Sequence, residues 1–174
     1  MPNKEIMLKL VLLGSSGVGK TSLINQYVHH SFEEDYHSTL GVNIVVKEIN
    51  LEDSDTLVKL IFWDIAGQEK YDLSRQMFFQ GCVGGLFVYD ITRPSTLHDI
   101  EAKWIPDLKK YGNEKAPYLL IGNKSDLEET RAISIEEGQE FSTKLNALEF
   151  IETSAKSGTN VEKAFKNLLL HIIS

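Results

Sequence analysis

The run Gly14-Ser15-Ser16-Gly17-Val18-Gly19-Lys20-Thr21 has the residue types and spacing of a phosphate-binding loop. Its glycines let the backbone wrap closely enough for successive N–H groups to surround a phosphate, and the positive end of a following helix favours the anion. Lys20 can reach the β and γ oxygens, and the Thr21 hydroxyl can hold Mg2+. Farther along, Trp63-Asp64-Ile65-Ala66-Gly67-Gln68 offers Asp64 for a water on the Mg2+ shell, the Gly67 N–H for the γ-phosphate, and Gln68 to orient an attacking water. Asn123-Lys124-Ser125-Asp126 supplies a carboxylate that can accept two hydrogen bonds from guanine. Adenine offers neither donor, so a buried Asp126 would discriminate between the bases by about 10⁴ or more. Glu152-Thr153-Ser154-Ala155-Lys156 adds a backbone N–H for the guanine carbonyl.

These residues must be carried to one place by the elements between them. Strand patterns cover Met7 to Leu13, Val42 to Leu51, Leu57 to Asp64, Val83 to Asp90, Pro117 to Gly122 and Leu148 to Glu152. Helical patterns cover Lys20 to His29, Ser95 to Tyr111, Ser134 to Lys144 and Asn160 to Ile173. Alternation of strand and helix, with near-continuous apolar strands, predicts an α/β domain with a six-stranded, mainly parallel sheet and helices on both faces. The short polar link Glu52-Asp53-Ser54-Asp55 predicts one antiparallel edge strand. Each motif then falls at a strand's carboxyl end, where an open α/β sheet places its ligands. Capping boxes are expected at Ser134 with Glu137 and at Thr159 with Glu162. The polar stretches 31–40 and 65–76 lack periodicity and read as functional loops.

Composition narrows the classes. With 174 residues, 18 Lys plus Arg against 25 Asp plus Glu and a net charge of -7, the chain reads as one acidic domain over 1–174. Such a balance gives no footprint for nucleic acid. No apolar run approaches the roughly 18 residues of a membrane span. The single cysteine, Cys82, points to a reducing compartment. Lys9 interrupts the only signal-like stretch, and Pro2 excludes N-myristoylation.

The four motifs, in this order, resemble the small GTPases of the Ras superfamily over nearly the whole chain. The Rab branch fits best: Ser38-Thr39-Leu40-Gly41-Val42-Asn43 resembles the Rab switch I, Lys59-Leu60-Ile61-Phe62-Trp63-Asp64 the interswitch strand, and Phe78-Phe79-Gln80-Gly81 the aromatic pair after switch II. Ile65, Ile44 and Gln80 depart from the usual threonine, phenylalanine and arginine. The resemblance implies a P-loop NTPase G domain that binds GTP and GDP with Mg2+ and slowly hydrolyses GTP. Ser15, Ser16, Gly17, Val18, Gly19, Lys20, Thr21 and Ser22 would form its phosphate end, with Lys20 and Gln68 in the catalytic roles. Thr21, Thr39 and Asp64 would serve the metal. By the same resemblance Phe32 would pack on guanine, Tyr36 would close over the phosphates, Asn123, Lys124 and Asp126 would form the base pocket, and Ser154, Ala155 and Lys156 would complete it. Ile44, Trp63 and Phe78 would make an effector surface. Exchange factors, GTPase-activating proteins and effectors are the implied partners of a cytoplasmic monomer. The chain stops at Ser174 without a cysteine-bearing tail, so membrane association would need a lipidated segment beyond it.

A P-loop kinase would call for an arginine-rich lid, whereas only Arg75, Arg93 and Arg131 occur. A GTP-binding module with negligible turnover would share every binding motif. No arginine stands between Lys20 and Arg75 to act from switch I, which implies slow turnover. The remaining candidates read as scaffold: the five histidines lack metal spacing, Trp104 shares a helical face with Ile100 and Leu108, and Glu33-Glu34-Asp35 reads as a solvated loop.

Overall fold

The computed structural model describes residues 4–34, 41–52, 54–66 and 75–174. Its centre is a six-stranded sheet built from β1 (Lys4–Leu13), β2 (Val42–Leu51), β3 (Thr56–Ile65), β4 (Cys82–Asp90), β5 (Tyr118–Asn123) and β6 (Glu149–Thr153). The strand order is β2-β3-β1-β4-β5-β6. All pairings are parallel except β2 with β3, the antiparallel edge that the short polar link predicts. The chain passes from β1 to β3 on one side and then returns across β1 to β4 on the other. The reversal therefore lies at the carboxyl end of β1, where such sheets bind ligands.

Alternation along β1 sorts its side chains into two cores. Leu8, Leu10 and Leu12 join Val58, Leu60, Phe62, Val88 and Ile121 beneath α1 (Lys20–His29) and α6 (Val161–Ile173). Val11 and Leu13 join Phe87, Tyr89 and Leu120 beneath the helical segment from Pro94 to Tyr111. Tyr27 of α1 stacks on Phe165 of α6, ring centroids 4.2 Å apart, and Phe62 meets both rings edge-on. Covering both faces explains why the central strands are apolar at nearly every position.

Four local features differ from the sequence reading. A short helix, α2 (Arg75–Phe79), forms at the end of a stretch that lacks helical periodicity. The pattern from Ser95 to Tyr111 divides into α3 (Pro94–Asp99), a π turn (Ile100–Trp104) and α4 (Ile105–Tyr111). Pro106 explains the division: it has no N–H, and its ring crowds the carbonyl four residues back, so the backbone widens just before it. Trp104, Ile100 and Leu108 are nonetheless buried together. Third, a 3-10 turn, Glu128–Thr130, forms where the sequence shows no helical pattern; Arg131 holds it by pairing with Glu128 and Glu152. Fourth, the capping box expected at Thr159 and Glu162 is absent. Asn160, at φ 58°, caps α6 one residue later and anchors itself by donating to the Glu152 carbonyl. The box at Ser134 and Glu137 is complete and opens α5 (Ile135–Lys144).

Within α5, Gly138 occupies a place no side chain can share. A Cβ there would lie 2.4 Å from the Phe150 ring and 2.5 Å from the Tyr89 hydroxyl. Helix propensity alone would make Gly138→Ala stabilising by about 1 kcal/mol. The expected outcome is the reverse, a loss of about 1 to 3 kcal/mol from overpacking, read from the urea midpoint at unchanged m-value.

Candidate functional site

The loop between β1 and α1 is held in shape by side chains that grip its carbonyls. Lys20, almost wholly buried, donates from Nζ to the Gly14 carbonyl at 2.7 Å and the Ser15 carbonyl at 3.0 Å. Asn123, at the end of β5, donates from Nδ2 to the Val18 carbonyl at 2.9 Å. Arg93 donates from Nη2 to the Ser16 carbonyl at 3.0 Å. Gly19 must be glycine on two counts: its φ of 102° suits no other residue well, and a Cβ would sit 2.3 Å from Asn123 Nδ2. The Ser15 hydroxyl turns away, donating to Asp99 at 2.7 Å, and Val18 is a core side chain. Any part either plays in binding would therefore fall to its backbone.

Beside Lys20 lies a pair of oxygen donors. The Thr21 hydroxyl donates to Asp64 Oδ2, and Asp64 Oδ1 is buried with no hydrogen-bond partner among the described residues. Burial raises the Asp64 pKa, opposed by the Thr21 hydrogen bond and the Lys20 charge. Burial likewise lowers Lys20 to about 8, with Asp64 opposing and Arg93 adding to the effect. An orphaned carboxylate oxygen next to a hydroxyl is a donor set that suits a hard divalent cation, and an anion beside Lys20 would favour its ammonium form.

The loops after β5 and β6 meet this loop across a cleft of about 600 Å³, lined in part by Gly17, Gly19, Ser22, Phe32, Asn123, Lys124, Asp126, Ala155 and Lys156. Asn123 Oδ1 accepts from the Thr153 hydroxyl at 2.9 Å and the Ala155 N–H at 3.3 Å. Ser154 donates its hydroxyl to Asp126 Oδ1 at 2.7 Å, fixing the carboxylate on the cleft wall. Asp126 is exposed there rather than buried, so cover for any hydrogen bond to a base must come from the base itself and its neighbours. Lys156 pairs across the opening with Glu34 at 3.3 Å, close to Phe32. Tyr36, Thr39, Gly67 and Gln68 lie outside the described residues.

Two residues that shape the site, Asp90 and Arg93, are not marked by the sequence motifs. Asp90 ends β4 and is 1% exposed. Its carboxylate accepts from Lys124 Nζ at 2.8 Å, Arg93 Nε at 3.1 Å, and the Thr92 N–H and hydroxyl. An acidic residue closing an apolar parallel strand at the ligand edge was the available signal.

The three residues expected to form an outer surface differ in exposure. Ile44 is 51% exposed and lies opposite Trp63 in the β2–β3 ladder. Trp63 is half-buried, with Lys9 Nζ 3.7 Å above its ring and the Phe78 ring centroid 6.3 Å away. Phe78 is nearly buried, so it supports Trp63 and offers little surface itself.

Comparison with known proteins adds an independent line. The family model described as Ras family matches residues 9–174. The Ras-related protein Rab-11A of Dictyostelium discoideum is 40% identical over 168 residues, covering 97% of this chain and 77% of its own. RABA1h of Arabidopsis thaliana and rab-11.1 of Caenorhabditis elegans, both Ras-related proteins, are each 39% identical over 97% of this chain, covering 75% and 78% of their own.

Asp90 generates a pH prediction. Burial opposes its ionisation, but the Lys124 and Thr92 hydrogen bonds outweigh burial and hold the carboxyl below the usual range. Its contribution to stability is therefore complete above the unfolded value of about 3.9 and lost as pH falls through the lower folded value. Asp90→Asn is expected to be less stable than the wild type at pH 7, with the gap narrowing below about pH 4; urea unfolding across pH measures both.

Proposed function

The chain belongs to the Ras family as a Rab-like small GTPase that binds guanine nucleotide and hydrolyses GTP, and from that premise we propose the roles of its residues and the cycle they serve. The reading is a molecular switch in membrane traffic that works with Mg2+ at the cleft. Thr21 and Asp64 hold the cation, joined by Thr39 in the GTP state. What supports the cation most directly is Asp64 Oδ1, a buried carboxylate oxygen without a partner among the described residues, beside the Thr21 hydroxyl at the end of the phosphate-binding loop. When bound, Mg2+ supplies positive charge to the β- and γ-phosphate oxygens.

The chain's own groups do the rest. The N–H groups of the loop from Ser15 to Gly19 surround the phosphates, and Lys20, held beside the Gly14 and Ser15 carbonyls, offers its ammonium to the β and γ oxygens. Asp126 reads the guanine ring N–H and amine, while Asn123, Lys124, Ser154, Ala155 and Lys156 hold the base pocket and Phe32 covers it. Gln68 orients the attacking water. Loss of the γ-phosphate releases Thr39 and Gly67, which changes the surface that partners read. The protein acts as a cytoplasmic monomer regulated by an exchange factor and a GTPase-activating protein, with protein effectors rather than nucleic acid as its targets.

The test begins with nucleotide identity and rate. Purified protein is expected to exchange labelled GDP for GTP with little competition from ATP. Its single-turnover hydrolysis should run on the order of 10⁻⁴ to 10⁻³ s⁻¹. Asp126→Asn should shift preference toward xanthine nucleotides, because the amide can donate to the carbonyl that replaces the guanine amine. Equal competition by ATP would sink the assignment.

A second prediction concerns partners. An effector that binds the GTP state is expected to use Trp63 and Ile44 as its apolar contact, with Phe78 beneath. A central aromatic can contribute 2 kcal/mol or more, so Trp63→Ala should weaken that effector at least about 30-fold while sparing nucleotide affinity. Parallel loss of both affinities would mark Trp63 as core instead.

A further inference from the structure

In a trans peptide the carbonyl and the following N–H point in opposite directions, so whatever grips a carbonyl also aims the next amide. The phosphate loop uses this repeatedly. Lys20 holds the Gly14 and Ser15 carbonyls, Asn123 holds the Val18 carbonyl, and Arg93 Nη2 holds the Ser16 carbonyl at 3.0 Å. The Ser16–Gly17 peptide is therefore oriented by a side chain that comes from neither the loop nor the base-binding segments. Gly17 lines the cleft, and a Cβ placed on it would lie 3.3 Å from Nη2, so the guanidinium abuts the back of this one peptide.

Arg93 is itself held. Its Nε donates to buried Asp90 at 3.1 Å, its backbone N–H donates to the Asp90 carbonyl at 3.0 Å, and its carbonyl accepts the Thr96 N–H at 3.0 Å at the start of α3. Asp90 in turn carries Lys124 of the base pocket at 2.8 Å. A single buried carboxylate thus sets both an arginine behind the phosphate loop and a lysine beside the base.

We propose that Arg93 is a positioning residue for GTP hydrolysis and nucleotide retention: clamped by Asp90, it fixes the Ser16–Gly17 peptide so that the Gly17 N–H faces the phosphates. This rests on the GTPase reading of the same cleft. Arg93 touches no reacting atom and acts through a backbone donor that is ready before the charge on the phosphate oxygens rises, which is how preorganised N–H groups favour a transition state. Removing a donor outright costs about 10² to 10³ in rate. Here the donor survives and loses only its fixed direction, so a smaller effect, about tenfold, is expected.

The test compares wild type, Arg93→Ala and Arg93→Lys for labelled GDP release, single-turnover GTP hydrolysis, and the amide spectrum of ¹⁵N-labelled, GDP-loaded protein. Arg93→Ala should release GDP about tenfold faster and hydrolyse GTP about tenfold more slowly, with the Gly17 amide displaced and the amides of the central strands unmoved. Arg93→Lys, which keeps a charged donor within reach of Asp90 and the Ser16 carbonyl, should recover at least about threefold in each rate. Rates within twofold of wild type for Arg93→Ala, or an unmoved Gly17 amide, would overturn the proposal. So would shifts spread through the sheet with no rescue by lysine, since that pattern marks a merely structural residue. If the alanine variant does not fold, Arg93→Met, which keeps the apolar stem and removes every side-chain donor, takes its place: slower hydrolysis with a displaced Gly17 amide supports the role, and wild-type behaviour refutes it. Wild-type protein that fails to bind GDP would instead refute the GTPase reading, leaving the two failures distinct.

Discussion

The buried amide of Asn123 is the tie on which the cleft depends. Its Nδ2 donates to the Val18 carbonyl of the phosphate loop, while its Oδ1 accepts from Thr153 and from the Ala155 N–H. One side chain thereby joins three segments that are far apart in the chain and come together only at the carboxyl edge of the sheet. It can do so because β5 is central and apolar, which leaves the polar group at its end no solvent to turn to. A buried amide with unmet donors and acceptors is costly, so the three segments are drawn to the positions that satisfy it. Gly19 yields space for the Asn123 amide, and the loop's geometry follows from that contact.

Around this tie, charge is arranged by burial. Lys20 and Asp64 sit together in a poorly solvated place, and burial pushes each toward its neutral form. Asp90 shows the opposite balance, since Lys124 and Thr92 more than offset its burial. The contrast separates a carboxylate that is already satisfied from one with an oxygen to spare. Asp90 is scaffold, fully engaged in holding two cations. Among the described residues Asp64 keeps an oxygen without a partner, and it stands next to the phosphate loop.

Much of this was legible in the sequence because it depends on local pattern. The alternating and continuous apolar runs placed all six strands, and α1 and β2 fall within the residues expected for them. The phosphate loop could be read because its glycines are required by backbone geometry that no other residue satisfies. What could not be read depended on contacts distant in sequence or on local competition. The π turn arises where Pro106 meets a helix whose apolar face continues undisturbed, so periodicity passes through it unmarked. Thr159 has the spacing of a cap, but Asn160 reaches the Glu152 carbonyl and takes the position. Arg93 looks like an ordinary loop residue until the fold brings it 77 positions back to Ser16.

The same strand that carries Asp64 to the cleft carries Trp63 to the opposite face, and this follows from the pleat alone. On Asp64's side, Phe62 is locked among α1 and α6. On Trp63's side, β2 and β3 leave Ile44 and Val46 half exposed. Lys9 bridges that face to α2, because its ammonium lies over the Trp63 ring while donating to the carbonyls of Met77 and Gln80 at 3.0 and 2.8 Å. Trp63 is therefore not a loose surface aromatic but one held between a cation and Phe78. Asp64 at the cleft is thus one residue from Trp63, and Trp63 is tied through Lys9 to α2, the helix that follows the second motif. The cleft and the apolar face are therefore built on adjacent residues of a single strand, and the close packing of Phe62 against Tyr27 and Phe165 fixes that strand from the other side.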